Sequence, residues 1–226
     1  MRFDELNWMD VEAYFKIDDR VMLILGACEQ HGYLSLMTDT LIPSALADAA
    51  SLKTGVICAP PLNFGVSPYF LAYPGTISLR LTTFLDVVED MIRSLYLAGA
   101  RRILVLNGHG GNDPARGRLT EVINSLPLLK ICWYSWWTSH SVEAVAMQHG
   151  LKPEHANWLE AFPFTKVAEL PTEEKIGPSI KGLLNSEQTR AAYVDGSFGG
   201  KYEAGEEVMQ EVFAAALADV LYLLEF

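Results

Sequence analysis

The sequence predicts a single α/β domain over residues 1–226, with a mostly parallel β-sheet flanked by helices. Three observations predict it. Half of the 226 residues are hydrophobic, enough for one sizeable core. Short apolar runs without polar alternation mark strands that are covered on both faces. Helix-length segments separate those runs, which implies βαβ units with right-handed crossovers.

Taken in chain order, residues 21–25 (VMLIL) form the first such run and end at Gly26. Residues 40–52 follow as a helix. Residues 56–59 make a second short strand before Pro60 and Pro61. Residues 60–78 carry four prolines and two glycines and are expected as a long ordered loop that rims a pocket. In residues 83–98, Phe84, Val87, Val88, Met91, Leu95 and Ala98 recur at helical spacing, and Gly99 supplies the stop. Residues 102–106 are the third strand. Asp113 and Pro114 then cap a helix over 113–126. Residues 130–134 are the fourth strand, and residues 203–226 are helical in pattern with a solvated acidic face.

Seventeen basic against 28 acidic residues leave a formal charge of -11. Such a chain repels phosphate backbones and anionic lipid, so nucleic acid and membrane surfaces are not expected partners. No apolar stretch approaches about 18 residues, and the opening MRFDELNWMD lacks an apolar segment behind a basic start. Cys28, Cys58 and Cys132 are odd in number and form no CxxC pair, which reads as reduced thiols in a cytoplasmic protein.

The chemistry gathers where strands end. Glu29, His31 and Asp39 follow the strand 21–25, and His109 follows the strand 102–106 inside Asn107-Gly108-His109-Gly110-Gly111-Asn112. Open parallel sheets bind ligands at that carboxyl edge. Carboxylates and imidazoles are the donors that a divalent metal takes. The glycines are expected to let the backbone turn sharply and substrate approach closely. Taken singly, an E-x-H triplet is common and a histidine in a glycine-rich turn often bonds only locally. Residues 154–162 (EHANWLEAF) add His155 and Glu160, although on the residues alone this stretch reads equally as the start of a surface helix after Pro153.

Glu29-Gln30-His31-Gly32 with Thr38-Asp39, the Asn107 to Asn112 stretch, and His155-Ala156 with Glu160 resemble, in order, the signature blocks of the creatininase family of metal-dependent amidohydrolases. Residues 199–207 (GGKYEAGEE) resemble its last block. The resemblance implies a dinuclear site for zinc, manganese or iron. Asp39 would bridge, with Glu29 and His109 on one ion and His31 and Glu160 on the other. It also implies a homo-oligomer, often a hexamer. Two departures stand out. The segment after Gly32 lacks the family's second histidine and is one residue shorter, and Gly110 and Gly111 replace the Tyr and Glu of creatinine-cleaving members.

These blocks imply hydrolysis of a non-peptide C–N bond in a small cyclic amide or formamide by water activated between two ions. Deformylation of a pyrimidine intermediate, clipping of a short modified peptide, and a catalytically silent binding relative are the alternatives. His155, with an imidazole near its ordinary pKa and Glu154 orienting it, is the expected proton donor to the leaving nitrogen. Gly110, Gly111, Trp136 and Trp137 are expected to contact substrate, the tryptophans by clamping a flat ring. Trp133 reads as core, His140 and His149 as surface residues, and Cys28 as no nucleophile.

Overall fold

The computed structural model describes residues 1–226. Eleven regular elements follow one another: α1 (Trp8–Phe15), β1 (Arg20–Leu25), α2 (Thr38–Thr54), β2 (Ile57–Cys58), α3 (Leu81–Ala98), β3 (Arg102–Asn107), α4 (Ala115–Ser125), β4 (Lys130–Ser135), α5 (His140–Gln148), α6 (Ser186–Tyr193) and α7 (Glu206–Leu223). The four strands form one sheet in the order β2-β1-β3-β4, and every pairing is parallel. The expected α/β architecture is therefore present.

Apolar runs without alternation are explained by two cores. In β1, Met22 and Ile24 face one core while Val21, Leu23 and Leu25 face the other. In β3, Leu104 and Leu106 divide from Ile103 and Val105 in the same way. Helices α2, α5 and α7 cover the first face through Ile42, Leu46, Val142, Val212 and Ala216. Helices α3 and α4 cover the second through Phe84, Val88, Ile92, Leu119 and Val122. Phe84 is fully buried at the start of α3. Phe84→Ala is expected to cost about 3–5 kcal/mol, since the lost transfer energy adds to the cavity left behind. A denaturant titration reads this as a fall in midpoint at unchanged slope.

Several boundaries differ from expectation. Helix α2 starts at Thr38 rather than residue 40, so Asp39 lies inside its first turn. Helix α4 starts at Ala115, after the Asp113-Pro114 turn. Helices α1, α5 and α6 were not expected, and neither was the irregular stretch between α5 and α6, broken by one 3-10 turn at Trp158–Glu160. No helix is long and apolar enough to cross a membrane.

The sheet order positions the site. β1 has β2 on one side and β3 on the other, and the chain leaves β1 towards α2 on one face but leaves β3 towards α4 on the opposite face. The two departing loops open a crevice between them, the place where doubly wound sheets bind ligands.

Candidate metal centre

Leu25 pairs with Asn107, so β1 and β3 end level, and the segments carrying Glu29 and His109 emerge side by side. Two buried asparagines tie the His109 turn down. Asn107 accepts from the His109 amide at 3.2 Å and donates to its carbonyl at 2.9 Å, while Asn112 donates to Gly26 O at 3.1 Å. Gly108 and Gly111 serve close approach, though of neighbouring backbone rather than of substrate, and neither takes a positive φ. A Cβ on Gly108 would fall 1.8 Å from the Asp39 carbonyl oxygen, which Pro43 cannot bond because it has no N–H. One on Gly111 would fall 2.0 Å from Val66 O.

Five residues from four segments meet at this edge. Asp39 Oδ1 lies 3.0 Å from His31 Nε2, which lies 3.6 Å from Glu160 Oε1. Asp39 Oδ2 lies 3.0 Å from His109 Nδ1, which lies 3.4 Å from Glu29 Oε1. Two three-residue groups thus share Asp39: Glu29, Asp39 and His109, and His31, Asp39 and Glu160. Despite this proximity, Glu29 Oε2, His31 Nε2 and Asp39 Oδ2 are buried without a hydrogen-bond partner. These atoms converge on common points instead of aligning donor to acceptor. Donors on one divalent ion at about 2.0–2.2 Å sit roughly 2.8–3.6 Å apart, so the spacing fits an ion in each group.

The imidazoles agree with this. His31 Nδ1 faces the Glu29 carbonyl at 3.2 Å, and His109 Nε2 faces the Val66 carbonyl at 2.9 Å. With each outer nitrogen donating to a backbone oxygen, each inner nitrogen is the one that would give up its proton and turn a lone pair to a bound ion. Ser67 Oγ supports His109 Nε2 from 3.3 Å. Glu160 is aimed by its neighbour: Ala156, at φ 54, turns its N–H onto Glu160 Oε2 at 2.6 Å. Burial lowers the pKa of His31 and of His109, but the carboxylates beside them outweigh it and hold both well above the ordinary value. Burial raises Asp39, yet the two histidines keep it below the usual carboxylate range.

His155 stands against the same cluster, 3.9 Å from Glu29 Oε1, stacked on Phe70 with ring centroids 4.8 Å apart and flanked by Phe198. Its surroundings differ from expectation. Burial, and then the neighbouring His31, push its pKa down to about 4, so it is neutral near pH 7 rather than half-protonated. Glu154 does not orient the ring; it pairs with Lys152 at 2.6 Å. The residues that sequence reasoning missed are Ser67 and Phe70, delivered by the 60–78 loop, and Tyr193 and Phe198. No local motif marks them.

A cavity of about 870 Å³ opens above the cluster. Gly110, Gly111 and Trp137 line it with Phe70, Tyr193 and Phe198. Trp136 does not. It is 2% exposed and packs into the core against Phe162, so of the two expected clamp residues the structure leaves only Trp137 facing the cavity. Trp133 packs against the second core. His140 is exposed and His149 pairs with Glu211 at 2.9 Å. Cys28 points at Gly75 O, and burial raises its thiol pKa.

A family model described as creatinine amidohydrolase matches residues 4–224. Among curated relatives, "Creatinine amidohydrolase" of Pseudomonas putida is 35% identical over 116 residues, covering 48% of this chain and 45% of the relative. "3-dehydro-scyllo-inosose hydrolase" of Thermotoga maritima is 29% identical over 110 residues (48% and 35% covered). "Mycofactocin precursor peptide peptidase" of Mycobacterium ulcerans is 33% identical over 113 residues (45% and 45%). Each of these matches spans less than half of the relative's length. A solved structure described as "Creatininase Mn" superposes with a TM-score of 0.79 at 24% identity, covering 98% of this chain and 96% of the other, which establishes the shared fold. By the match of its family model along nearly the whole sequence, the chain belongs to the creatininase family.

Proposed function

We propose that the protein is a metal-dependent amidohydrolase that opens a non-peptide C–N bond in a small cyclic amide or a formamide. One observation carries this reading: a single buried carboxylate, Asp39, lies 3.0 Å from the inner nitrogens of two imidazoles, each in its own three-residue group. Glu29, Asp39 and His109 would hold one divalent ion, and His31, Asp39 and Glu160 the other, with zinc, manganese and iron as the candidates. Ions held there would bring the pKa of water toward neutrality and polarise a carbonyl, the two aids that amide hydrolysis lacks in bulk water.

The chain's own residues would do the rest. Phe70 and Phe198 immobilise the neutral His155 ring, which stands where it can hydrogen-bond the leaving nitrogen while that nitrogen takes its proton from the attacking water. Gly110 and Gly111 keep that side of the cavity bare, and Trp137 offers a flat face beside it. Lys152 is the only lysine or arginine lining the cavity and is paired with Glu154, while Glu143 adds a further negative charge. Anion recognition needs fixed cationic donors, so the substrate is uncharged or cationic away from its amide. The reduced cysteines and the family resemblance support a cytoplasmic homo-oligomer.

Cleavage of a short modified peptide is the second reading. It is favoured by the cavity volume, which lies high in the roughly 300–1,000 Å³ range of small-molecule sites, and by the peptidase relative. Elemental analysis of protein purified without chelator, combined with turnover of a panel of formamides, lactams and short peptides, tests both. Two divalent ions per chain are expected, with turnover abolished by chelation and restored by metal. Metal-free protein that no ion activates would overturn the proposal, and turnover of peptides alone would select the second reading.

A further inference from the structure

We propose that Gln30 is a positioning residue that locks His155 in the tautomer with its proton on Nδ1, the nitrogen facing the site. Given the hydrolase reading above, this turns an N–H rather than a lone pair toward the reacting atoms, so His155 is fitted to hydrogen-bond the leaving nitrogen, whose proton comes from the attacking water, and not to bind an ion.

Gln30 is 4% exposed, and its side-chain amide has two backbone partners of fixed polarity. Its oxygen accepts from the Gly32 N–H at 3.1 Å, and its nitrogen donates to the Gly196 carbonyl at 3.1 Å. A flipped amide would set oxygen against oxygen and N–H against N–H, so the orientation is settled by the backbone. The second amide hydrogen then faces His155 Nε2, 2.9 Å away. That nitrogen must accept, because a proton on it would set two N–H groups head to head. The Gln30 main-chain oxygen lies farther from the same nitrogen, at 3.2 Å, and does not relieve that clash. A neutral imidazole carries one N–H, which leaves the proton on Nδ1, 3.9 Å from Glu29 Oε1.

The contrast with the other two imidazoles is internal to the site. The outer nitrogens of His31 and His109 face carbonyl oxygens, so their inner nitrogens are the ones left to bind an ion. The outer nitrogen of His155 faces a donor, so its inner nitrogen carries hydrogen. Glu29, His31 and His155 stand close enough together to suggest a third ion. On this polarity His155 has no inward lone pair to offer one.

The lock reaches well beyond the motif that contains Gln30. A Cβ on Gly196, which sits at φ +95, would fall 1.6 Å from Gln30 Oε1, so only glycine admits the amide there. The 195–197 loop is held in turn by Lys175, which bonds Asp195 and donates to Ser197 O at 2.7 Å, and by Tyr202, which donates to Asp195 at 2.6 Å. Residues 175–202 thereby set the polarity of a histidine at position 155.

Long-range ¹H–¹⁵N spectra of histidine-labelled protein, near pH 7 and with and without two equivalents of zinc, read the tautomer directly. His155 is expected to show a protonated Nδ1 and a bare Nε2 in both. Gln30→Glu keeps the shape but removes the N–H, so Nε2 is expected to become the protonated nitrogen. Turnover should fall by about tenfold or more at nearly constant KM and with both ions retained. A proton on Nε2 in the wild type, or an unchanged tautomer in Gln30→Glu, would overturn the proposal. If Gln30→Glu does not fold, the wild-type spectrum still decides, and Gly196→Ala, which displaces the same amide, is the second variant, expected to lose the single Nδ1–H form. The predicted tautomer in a protein that binds no metal and cleaves no amide would sink the hydrolase reading and leave this one standing.

Discussion

Asp39→Ala is expected to release both divalent ions and, with them, all measurable amide hydrolysis. Each oxygen of this carboxylate stands 3.0 Å from a different imidazole, so one side chain completes two groups. Its removal leaves Glu29 with His109, and His31 with Glu160, two donors each where stable divalent sites take three or four from the protein. By contrast, Glu29→Ala or Glu160→Ala touches one group and is expected to weaken one ion more than the other. Elemental analysis after dialysis, followed by calorimetric titration with zinc, separates these outcomes. Two ions per chain retained by Asp39→Ala at wild-type affinity would show that the carboxylate does not bridge.

His155→Ala is expected to keep both ions and lose about 10²–10⁴-fold in turnover, the range that one general acid–base residue typically supplies. The ring is not in the proposed ligand set, although it packs against one member of it, His31, with ring centroids 4.5 Å apart, as well as against Gln30, Phe70 and Phe198. The loss should fall on kcat, with KM little changed, because the ring is assigned to the leaving nitrogen as its bond breaks rather than to holding substrate. Turnover within a few-fold of wild type, or loss of an ion, would move His155 out of the catalytic role.

Much of the architecture was legible because burial leaves a plain trace. The runs 21–25 and 102–106 lie within a residue of β1 and β3, since a strand covered on both faces has no polar position to interrupt it, and 130–134 lies within a residue of β4 although that edge strand is only partly buried. The convergence of Glu29, Asp39 and His109 followed from the same strands by way of the rule for their carboxyl edge. The start of α2 was less legible: the helix begins from Met37, which makes no side-chain cap, so no residue there marks Asp39 as lying inside its first turn. Helix α6 did have a readable signal, the reciprocal capping of Asn185 and Gln188, but the eight residues that follow are too short and polar to show a periodic face. The surroundings of His155 had no signal at all. Phe70 and Phe198 lie far from it in sequence and reach it through irregular segments, where neither period nor cap fixes a side chain's direction. Trp136 was misplaced for a related reason. At the end of β4 the chain enters a 3-10 turn, and strand alternation stops predicting which face a residue takes.

The turn at Gly111 also bears on how this site can diversify. The Val66 carbonyl that orients His109 occupies the space a side chain at position 111 would need, and His109 Nε2 itself lies 2.4 Å from the same point. The carboxylate of creatinine-cleaving relatives therefore cannot be installed here by one substitution. The 60–67 segment would have to retreat first, and on its own that retreat would strip His109 of its backbone acceptor. The two segments, 45 positions apart between Val66 and Gly111, are therefore expected to change together, each substitution alone costing the site more than the pair. Libraries that randomise both segments together, rather than residue by residue, are the route by which this scaffold changes substrate.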